Sequence, residues 1–162
     1  MHPAIEKLDS LGTSLPLENL SAVLERKGSA IYFVGPRATV YEAIQKMSQH
    51  EVGALLVMDA GSLLGLISER DYARKVILRG KHSHDTLVEE IMSTPVVSAS
   101  PSMTLRDGLR LMTDKRVRHL PVVDPANGSV LGVVSMGDLV FSLISAQADT
   151  LAHLTRYISG SY

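Results

Sequence analysis

An internal duplication constrains the fold of this chain more than any other feature of its sequence. Two pairs of segments match in order and in apolar pattern: residues 36–59 with 101–124, and residues 65–71 with 132–138. The second copy differs by a longer loop at residues 125–129. Because chance does not preserve so many positions around one small insertion, the sequence predicts two units of the same fold.

Each copy carries the signals of a β-α-β-β-α unit. Short apolar runs predict the strands: Ile31–Val34, Ala54–Met58 and Leu63–Ile67 in the first copy, and Val96–Ala99, Leu120–Val123 and Val130–Val134 in the second. Thr39 with Glu42 forms a capping-box pattern, and Thr104 with Asp107 forms an analogous one. Apolar residues at helical spacing follow both pairs, so each predicts a helix start.

The second helix of each copy is predicted to begin at Glu69 or Met136, and Gly80 to end the first of these helices. One such unit is too small to bury both faces of its sheet, so the copies are expected to pack together. The predicted class is α+β (mixed α/β), with tandem β-α-β-β-α repeats related by a pseudo-twofold axis and two equivalent clefts. The predicted segments are 1–26, an extension with a lead-in helix; 27–80, the first repeat; 81–91, a linker with a short helix; 92–146, the second repeat; and 147–162, a C-terminal helix and tail.

Composition narrows the classes of function. The formal net charge of the 162 residues is −1, so no general field attracts nucleic acid or an anionic membrane. The absence of Cys excludes disulfides, thiolate zinc sites and thiol nucleophiles. His82 and His84 lie in a polar linker where no third metal ligand is expected to join them, so no metal site is predicted. No apolar run suits a membrane helix or a signal peptide, and a cytoplasmic location is expected.

Two heptapeptides carry a resemblance to a known family. Residues 65–71, Gly-Leu-Ile-Ser-Glu-Arg-Asp, and residues 132–138, Gly-Val-Val-Ser-Met-Gly-Asp, resemble the signature of CBS (cystathionine β-synthase) domains. Residues 118–124 are similar to the second-strand segment of that family. The resemblance implies a paired, non-catalytic CBS module that binds AMP, ADP, ATP, S-adenosylmethionine or an NAD-type dinucleotide. It also implies a homodimer.

Asp71 and Asp138, the last residues of the two heptapeptides, are the predicted ribose ligands. A ribose diol presents two O–H donors, and an ionised carboxylate can accept both. Each Asp is expected near a helix start, where backbone N–H groups favour a carboxylate or a phosphate, with the hydroxyl of Ser68 or Ser135 beside it. The alternative is that these residues only cap helices, as Asp and Ser usually do. Their occurrence in both copies, in the register of the family, favours binding.

Cationic residues indicate where phosphate groups would lie. Arg70 stands within the first heptapeptide, and the resemblance implies that Arg118 and His119 face a cleft and contact phosphates. The first copy has Gly53 and Ala54 at the matching positions. The site in the second copy is therefore expected to be the better equipped, and the cations favour a phosphorylated ligand over S-adenosylmethionine.

The adenine is expected near the first strand of the opposite repeat. Tyr32 could instead be ordinary core, and Lys27 an ordinary cation at a helix end. The predicted nucleotide-binding residues are Asp138, Ser135, Gly137, Arg118, His119, Pro121, Lys27, Gly28 and Tyr32 for one site, and Asp71, Ser68, Arg70, Ala54, Thr94, Pro95 and Val97 for the other.

The leading functional prediction is a regulatory module in which AMP, ADP, ATP or NAD(H) changes the shape of the repeats and so biases an effector protein. A competing prediction is an interaction scaffold with empty clefts, in which the duplication serves assembly alone. A third is an enzyme that acts on the nucleotide. The sequence has no P-loop, no dinucleotide fingerprint and no nucleophile elbow, so no catalytic residue and no catalytic cofactor are predicted.

Overall fold

A computed structural model describes residues 18–146 of the chain. In chain order the elements are α1 (Leu20–Lys27), β1 (Phe33–Val34), α2 (Val40–His50), β2 (Ala54–Asp59), β3 (Ser62–Ser68), α3 (Glu69–Lys75), a 3₁₀ turn (Ile77–Arg79), α4 (Val88–Ile91), α5 (Leu105–Lys115), β4 (His119–Val123), β5 (Val130–Ser135) and α6 (residues 136–146). These elements are divided between two compact units. The Asp71 unit comprises residues 30–97, and the Asp138 unit comprises residues 18–29 and 98–146. The mixture of helices and small sheets is the predicted α+β class.

The Asp71 unit is built on a three-stranded sheet. β2 pairs in parallel with β1 and antiparallel with β3. Ala60 and Gly61 form the turn between β2 and β3, and both have positive φ angles (45° and 82°), as two-residue hairpin turns require. The buried core residues of this unit include Val40, Ala43, Met47, Leu55, Val57, Ile67, Val76, Val88 and Ile91.

The capping pattern that begins α2 is present in full. The backbone N–H of Thr39 donates to Glu42 Oε2 at 2.7 Å, and the N–H of Glu42 donates to Thr39 Oγ1 at 3.2 Å. At the start of α5 the N–H of Asp107 donates to Thr104 Oγ1 at 3.1 Å, while Thr104 Oγ1 donates to the Asp107 carboxylate at 2.7 Å. Both helices therefore begin where the sequence predicts.

The Asp138 unit has a two-stranded antiparallel sheet, β4 with β5, and Ala99 adds a single parallel bridge to Val122. The predicted strand Val96–Ala99 is therefore reduced to one paired residue. The physical reason is Pro121, which lies on β4 and has no backbone N–H to donate to an extended partner. The Pro121 carbonyl accepts from Ala99 N at 3.0 Å, and the Ala99 carbonyl accepts from Val123 N at 2.9 Å; these two bonds make up the bridge. Buried apolar residues of this unit include Leu20, Val23, Leu24, Leu105, Met112, Leu120, Val122, Val134 and Leu139.

Two other predicted boundaries are wrong in the Asp71 unit. The first predicted strand, Ile31–Val34, pairs with β2 only over Phe33–Val34. The second helix ends at Lys75 rather than continuing to Gly80, and the 3₁₀ turn follows it. Val76 is the C-cap of α3, with φ −114° and ψ −68°; its side chain is completely buried, and its backbone N–H donates to the carbonyl of Tyr72 at 3.1 Å. Gly80 then ends the 3₁₀ turn with a φ of 65°. The predicted C-terminal helix in residues 147–162 lies outside the described residues.

The helix that precedes each repeat packs in the unit of the other repeat. α1 precedes the first repeat but belongs to the Asp138 unit, where Leu105 N donates to Glu18 O at 2.9 Å. α4 precedes the second repeat but belongs to the Asp71 unit, where Val40 N donates to Thr86 O at 2.9 Å. The two units therefore use matching backbone contacts, although their boundaries do not coincide with the repeats in the sequence.

The glycine that opens each heptapeptide lets these lead-in helices approach the sheet. A Cβ atom added to Gly132 would lie 2.8 Å from Leu24 Cδ2 of α1, and one added to Gly65 would lie 2.6 Å from Met92 Sδ, just after α4. Carbon atoms in proteins do not approach this closely, so any larger residue would force a neighbour to move. The close approach places the ends of α1 and α4 beside the heptapeptides that carry Asp138 and Asp71.

Candidate functional site

Asp138 is the third residue of α6, and its carboxylate caps that helix. Its Oδ2 atom accepts a hydrogen bond from Ser135 N at 2.7 Å, and its own backbone N–H donates to Ser135 Oγ at 3.1 Å. This reciprocal pair is the capping role that the sequence left open as an alternative. The cap also fixes the carboxylate in one orientation at the start of the helix.

Lys27, the last residue of α1, forms an ion pair with Asp138. Its Nζ atom lies 2.5 Å from Asp138 Oδ2 and 2.9 Å from the carbonyl oxygen of Val133. The side chains are 35% and 26% exposed, so water still reaches both charges. The sequence predicted Lys27 and Asp138 for one site, and the structure brings them into contact.

The surroundings of Asp138 favour its ionised form. Partial burial alone would raise the pKa of this carboxyl, but the hydrogen bonds from Lys27 and Ser135 outweigh it and hold the pKa below the ordinary value of 3.8. The carboxylate is therefore charged at neutral pH. Among the described residues, nothing donates a hydrogen bond to its second oxygen, Oδ1. Asp138 thus has acceptor capacity that residues 18–146 do not fill.

Arg118 and His119 lie next to the start of α6. The carbonyl of Arg118 accepts from Met136 N at 2.9 Å, and His119 pairs with Ser135 in the β4–β5 register. The Arg118 side chain is exposed, and within residues 18–146 it makes no ion pair or hydrogen bond. Arg118, which directly precedes β4, is therefore an exposed cation near the start of α6 without an ion-pair partner among residues 18–146.

Asp71 has the matching position in α3, but the protein itself fills its carboxylate. Oδ2 accepts from Ser68 N at 3.0 Å and from Ser68 Oγ at 2.7 Å. Oδ1 accepts from Ser93 Oγ at 3.1 Å and from Lys75 Nζ at 2.7 Å. Asp71 is only 8% exposed. Since a carboxylate offers about four acceptor positions, none remains for a ligand unless an internal bond breaks.

The remaining predicted residues divide between the two units. Gly28, Gly137 and Pro121 lie in the Asp138 unit; Arg70, Ala54, Thr94, Pro95 and Val97 lie in the Asp71 unit with Tyr32. The Tyr32 ring stacks on His50 with the ring centroids 4.1 Å apart, and it packs against the core of the Asp71 unit. This packing agrees with the alternative prediction that Tyr32 is an ordinary core residue. Among residues 18–146, no atom lies within 4 Å of a Cβ atom added to Gly28, so the space around that backbone position is open in this part of the chain.

Sequence reasoning missed Lys75 and Ser93. Lys75 follows Asp71 by one helical turn, and this spacing was a readable signal for an ion pair. Its Nζ atom also donates to the carbonyl of Ile91, at the end of α4, at 2.6 Å. Ser93 gave no signal, because its contact with Asp71 joins two segments that only the folded structure brings together.

Two further findings concern classes of site. Within residues 18–146, His, Asp and Glu side chains nowhere form a group of three suited to a metal ion. In the same region, no helix combines the length and apolar character that crossing a membrane requires.

The family model of the CBS domain matches residues 28–78 and 88–145. The chain belongs to the CBS domain family. Its matched segments form a CBS pair, as the two heptapeptides indicate.

Curated relatives agree with this family. The chain is 40% identical over 129 residues to the mitochondrial CBS domain-containing protein CBSX3 of Arabidopsis thaliana. The aligned region covers 76% of this chain and 62% of that protein. The chain is also 36% identical over 129 residues to the CBS domain-containing protein YhcV of Bacillus subtilis. That aligned region covers 80% of this chain and 90% of YhcV. The chain thus spans less than two thirds of the Arabidopsis relative.

Solved CBS structures share the fold. A Burkholderia ambifaria protein with CBS domains has 42% identity and a TM-score of 0.76, covering 80% of this chain and 96% of that one. A CBS domain pair solved with 5′-methylthioadenosine and S-adenosylmethionine has a TM-score of 0.71 over 82% of this chain and 99% of that one. Its identity is 23%, so this second likeness concerns the fold alone.

Proposed function

We propose that this CBS pair is a non-catalytic regulatory module that binds an adenosine-containing nucleotide, AMP, ADP, ATP or NAD(H), at Asp138. The observation that carries the proposal is the state of the Asp138 carboxylate. It is oriented by Ser135, charged at neutral pH and partly exposed, and its Oδ1 atom accepts no hydrogen bond from the described residues. A ribose hydroxyl is a suitable donor for such an oxygen.

Charge near Asp138 supports a phosphorylated ligand. Lys27 and Arg118 bring two cations to this unit, and the Arg118 side chain has no partner among residues 18–146. The bound adenosine compounds of the distant CBS pair, and the name of the Burkholderia relative as a candidate signal-transduction protein, are consistent with a regulatory nucleotide site.

The test is calorimetry of the wild type and Asp138→Ala with AMP, ATP, NAD⁺ and S-adenosylmethionine. We expect Asp138→Ala to lose tenfold to about 150-fold in affinity, which corresponds to about 1.5–3 kcal/mol for charge-assisted hydrogen bonds. Asp114→Ala is the matched control, because Asp114 is an exposed carboxylate in α5. Unchanged nucleotide affinity of Asp138→Ala would sink the proposal, provided that circular dichroism shows a folded variant.

A second candidate function, the ligand-free interaction scaffold, is favoured by one surface. Val140, Phe141 and Ile144 of α6 are 41%, 67% and 61% exposed, and their spacing puts them on one helix face. We propose homodimerisation as the use of such a face. Native mass spectrometry of freshly purified protein separates the candidates, since it reports retained nucleotide and subunit number together. A dimer without nucleotide, and with no affinity for added nucleotide, would favour the scaffold.

The non-catalytic part of the proposal has its own test. Wild-type protein is incubated with ATP, AMP and NAD⁺, and the mixtures are separated by chromatography. We expect each nucleotide to be recovered intact. A product that accumulates with time and with protein concentration would show turnover and refute this part of the proposal.

A further inference from the structure

The ion pair between Lys27 and Asp138 conflicts with bidentate binding of a ribose diol, in which each carboxylate oxygen accepts a hydrogen bond from one hydroxyl. Asp138 Oδ2 already accepts two hydrogen bonds, from Ser135 N and from Lys27 Nζ. A carboxylate oxygen offers about two acceptor positions, so Oδ2 has no place for a hydroxyl. The diol can bind with one hydroxyl on each oxygen only after Lys27 leaves Oδ2.

Lys27 has room to move but few internal alternatives. Its side chain is 35% exposed, and the space beside the following residue, Gly28, is open. Its other partner among the described residues is the carbonyl of Val133, which carries no formal charge. An ammonium that gives up a partly buried carboxylate loses a charge-assisted bond. A ligand that brings its own anion can replace that bond, whereas an uncharged nucleoside cannot.

We infer that Lys27 is the specificity-determining residue of the Asp138 site, and that it selects phosphorylated adenosine compounds over adenosine itself. When the ligand binds, the Lys27 ammonium leaves Asp138 Oδ2 and pairs with the phosphate of the ligand. A ribose hydroxyl then donates its hydrogen bond to Oδ2. The inference rests on the proposed nucleotide function of Asp138. It adds the class of ligand and the residue that enforces the choice.

The Asp71 unit provides a natural comparison. Lys75 Nζ lies 2.7 Å from Asp71 Oδ1 and also donates to the carbonyl of Ile91 at 2.6 Å. The Asp71 carboxylate is fully satisfied and 8% exposed. Lys75 therefore forms the same type of Lys–Asp ion pair as Lys27, but with a carboxylate that has no acceptor position left for a ligand. For this reason Lys75→Met is the matched control for Lys27→Met.

The experiment measures the affinities of AMP and adenosine for the wild type, Lys27→Met, Lys27→Arg and Lys75→Met by calorimetry at one salt concentration. We expect the wild type to bind AMP at least about tenfold tighter than adenosine, since a charge-assisted bond to phosphate is at stake. Lys27→Met is expected to bring the two affinities within about threefold of each other, with adenosine bound as well as before or better. Lys27→Arg should keep a preference for AMP, and Lys75→Met should keep the wild-type ratio.

The outcomes separate this inference from the proposed function. If the wild type binds adenosine and AMP equally, or if Lys27→Met weakens both by the same factor, the inference fails and the nucleotide site stands. If Lys75→Met changes the ratio as much as Lys27→Met does, the assignment to Lys27 is wrong. If no adenosine compound binds the folded wild type, the proposed function itself fails. Circular dichroism of each variant identifies loss of fold, and Lys27→Arg then decides on its own.

Discussion

Lys27 Nζ and Asp138 Oδ2 lie 2.5 Å apart, although 111 positions separate these residues in the chain. Asp71, in the matching position of the other unit, instead pairs with Lys75 on its own helix. The two carboxylates are therefore neutralised in different ways. The two lysines are similarly exposed, but the Asp71 side chain is 10% exposed in a pair within one helix, whereas the Asp138 side chain is 26% exposed in a pair that joins α1 to α6. The duplicated motif thus supports one structural and one exchangeable ion pair.

The first prediction concerns Asp71. Replacement by Asn removes the charge that Lys75 faces and puts an amide NH₂ group among the donors of Ser68 and Ser93. We expect Asp71→Asn to lower the free energy of unfolding by about 1–3 kcal/mol, because satisfied buried groups lose their partners. Nucleotide affinity should stay within about twofold of the wild type. Urea unfolding and calorimetry measure the two quantities.

Asp114→Asn is the control for Asp71→Asn, since it changes an exposed carboxylate to the same amide. It should leave both stability and affinity unchanged. A variant Asp71→Asn with wild-type stability and lost nucleotide binding would show that Asp71 is a ligand residue, contrary to its filled carboxylate.

The second prediction concerns pH. The pKa of Asp138 is lowered in the folded protein from an ordinary value of 3.8, against the effect of burial, by hydrogen bonds from Lys27 and Ser135. In the unfolded chain this carboxyl takes up its proton first as the pH falls. The stability that Asp138 contributes is therefore present at neutral pH and is lost as the pH falls below about 4 and through the folded pKa.

Urea unfolding of the wild type and Asp138→Asn between about pH 2 and pH 7 measures this effect. The difference in free energy of unfolding should be largest at neutral pH and should shrink in acid, because Asn does not titrate. Added salt should reduce the difference, since both charges reach solvent. A difference that stays constant over this pH range would show that the carboxylate gains nothing from its ion pair.

Local patterns predicted much of the fold because the forces involved are local. The caps at Thr39 and Thr104 depend on residues three positions away, and both are present as the sequence indicates. The hairpin strands follow from apolar runs separated by turn residues. The run Val96–Ala99 is wrong as a strand because its pairing depends on Pro121, a residue on another segment whose missing N–H the run itself does not reveal.

The candidate site was predicted in its parts but not in its electrostatics. The heptapeptides indicated Asp71 and Asp138, with their serines, in matching positions. Nothing in either heptapeptide distinguishes a carboxylate with filled acceptor positions from one with an open oxygen. At Asp71 that distinction comes from Lys75, one turn along the same helix, and from Ser93 on another segment; at Asp138 it comes from Lys27, also on another segment. Residues outside the duplicated heptapeptides, two of the three on other segments, therefore set the difference between the two units.

The last prediction concerns the glycines that open the heptapeptides. A Cβ atom at residue 132 would lie 2.8 Å from Leu24 Cδ2, and Leu24 is 6% exposed in the core of the Asp138 unit. We expect Gly132→Ala to lower the free energy of unfolding by about 1–3 kcal/mol, because a buried branched side chain must shift. Gly65→Ala should cost less than about 1 kcal/mol, since Met92 is flexible and only partly buried and can turn aside.

Double-mutant unfolding experiments test the cause of the Gly132 effect. If the clash with Leu24 is responsible, Leu24→Ala and Gly132→Ala together should cost less than the sum of the single changes by about 0.5–3 kcal/mol. Additive costs would instead place the effect in the strand itself. Because Lys27 stands at the end of the helix that carries Leu24, Gly132→Ala should also change the AMP-to-adenosine affinity ratio. The Gly65→Ala variant, with its perturbation confined to the Asp71 unit, should keep that ratio at the wild-type value.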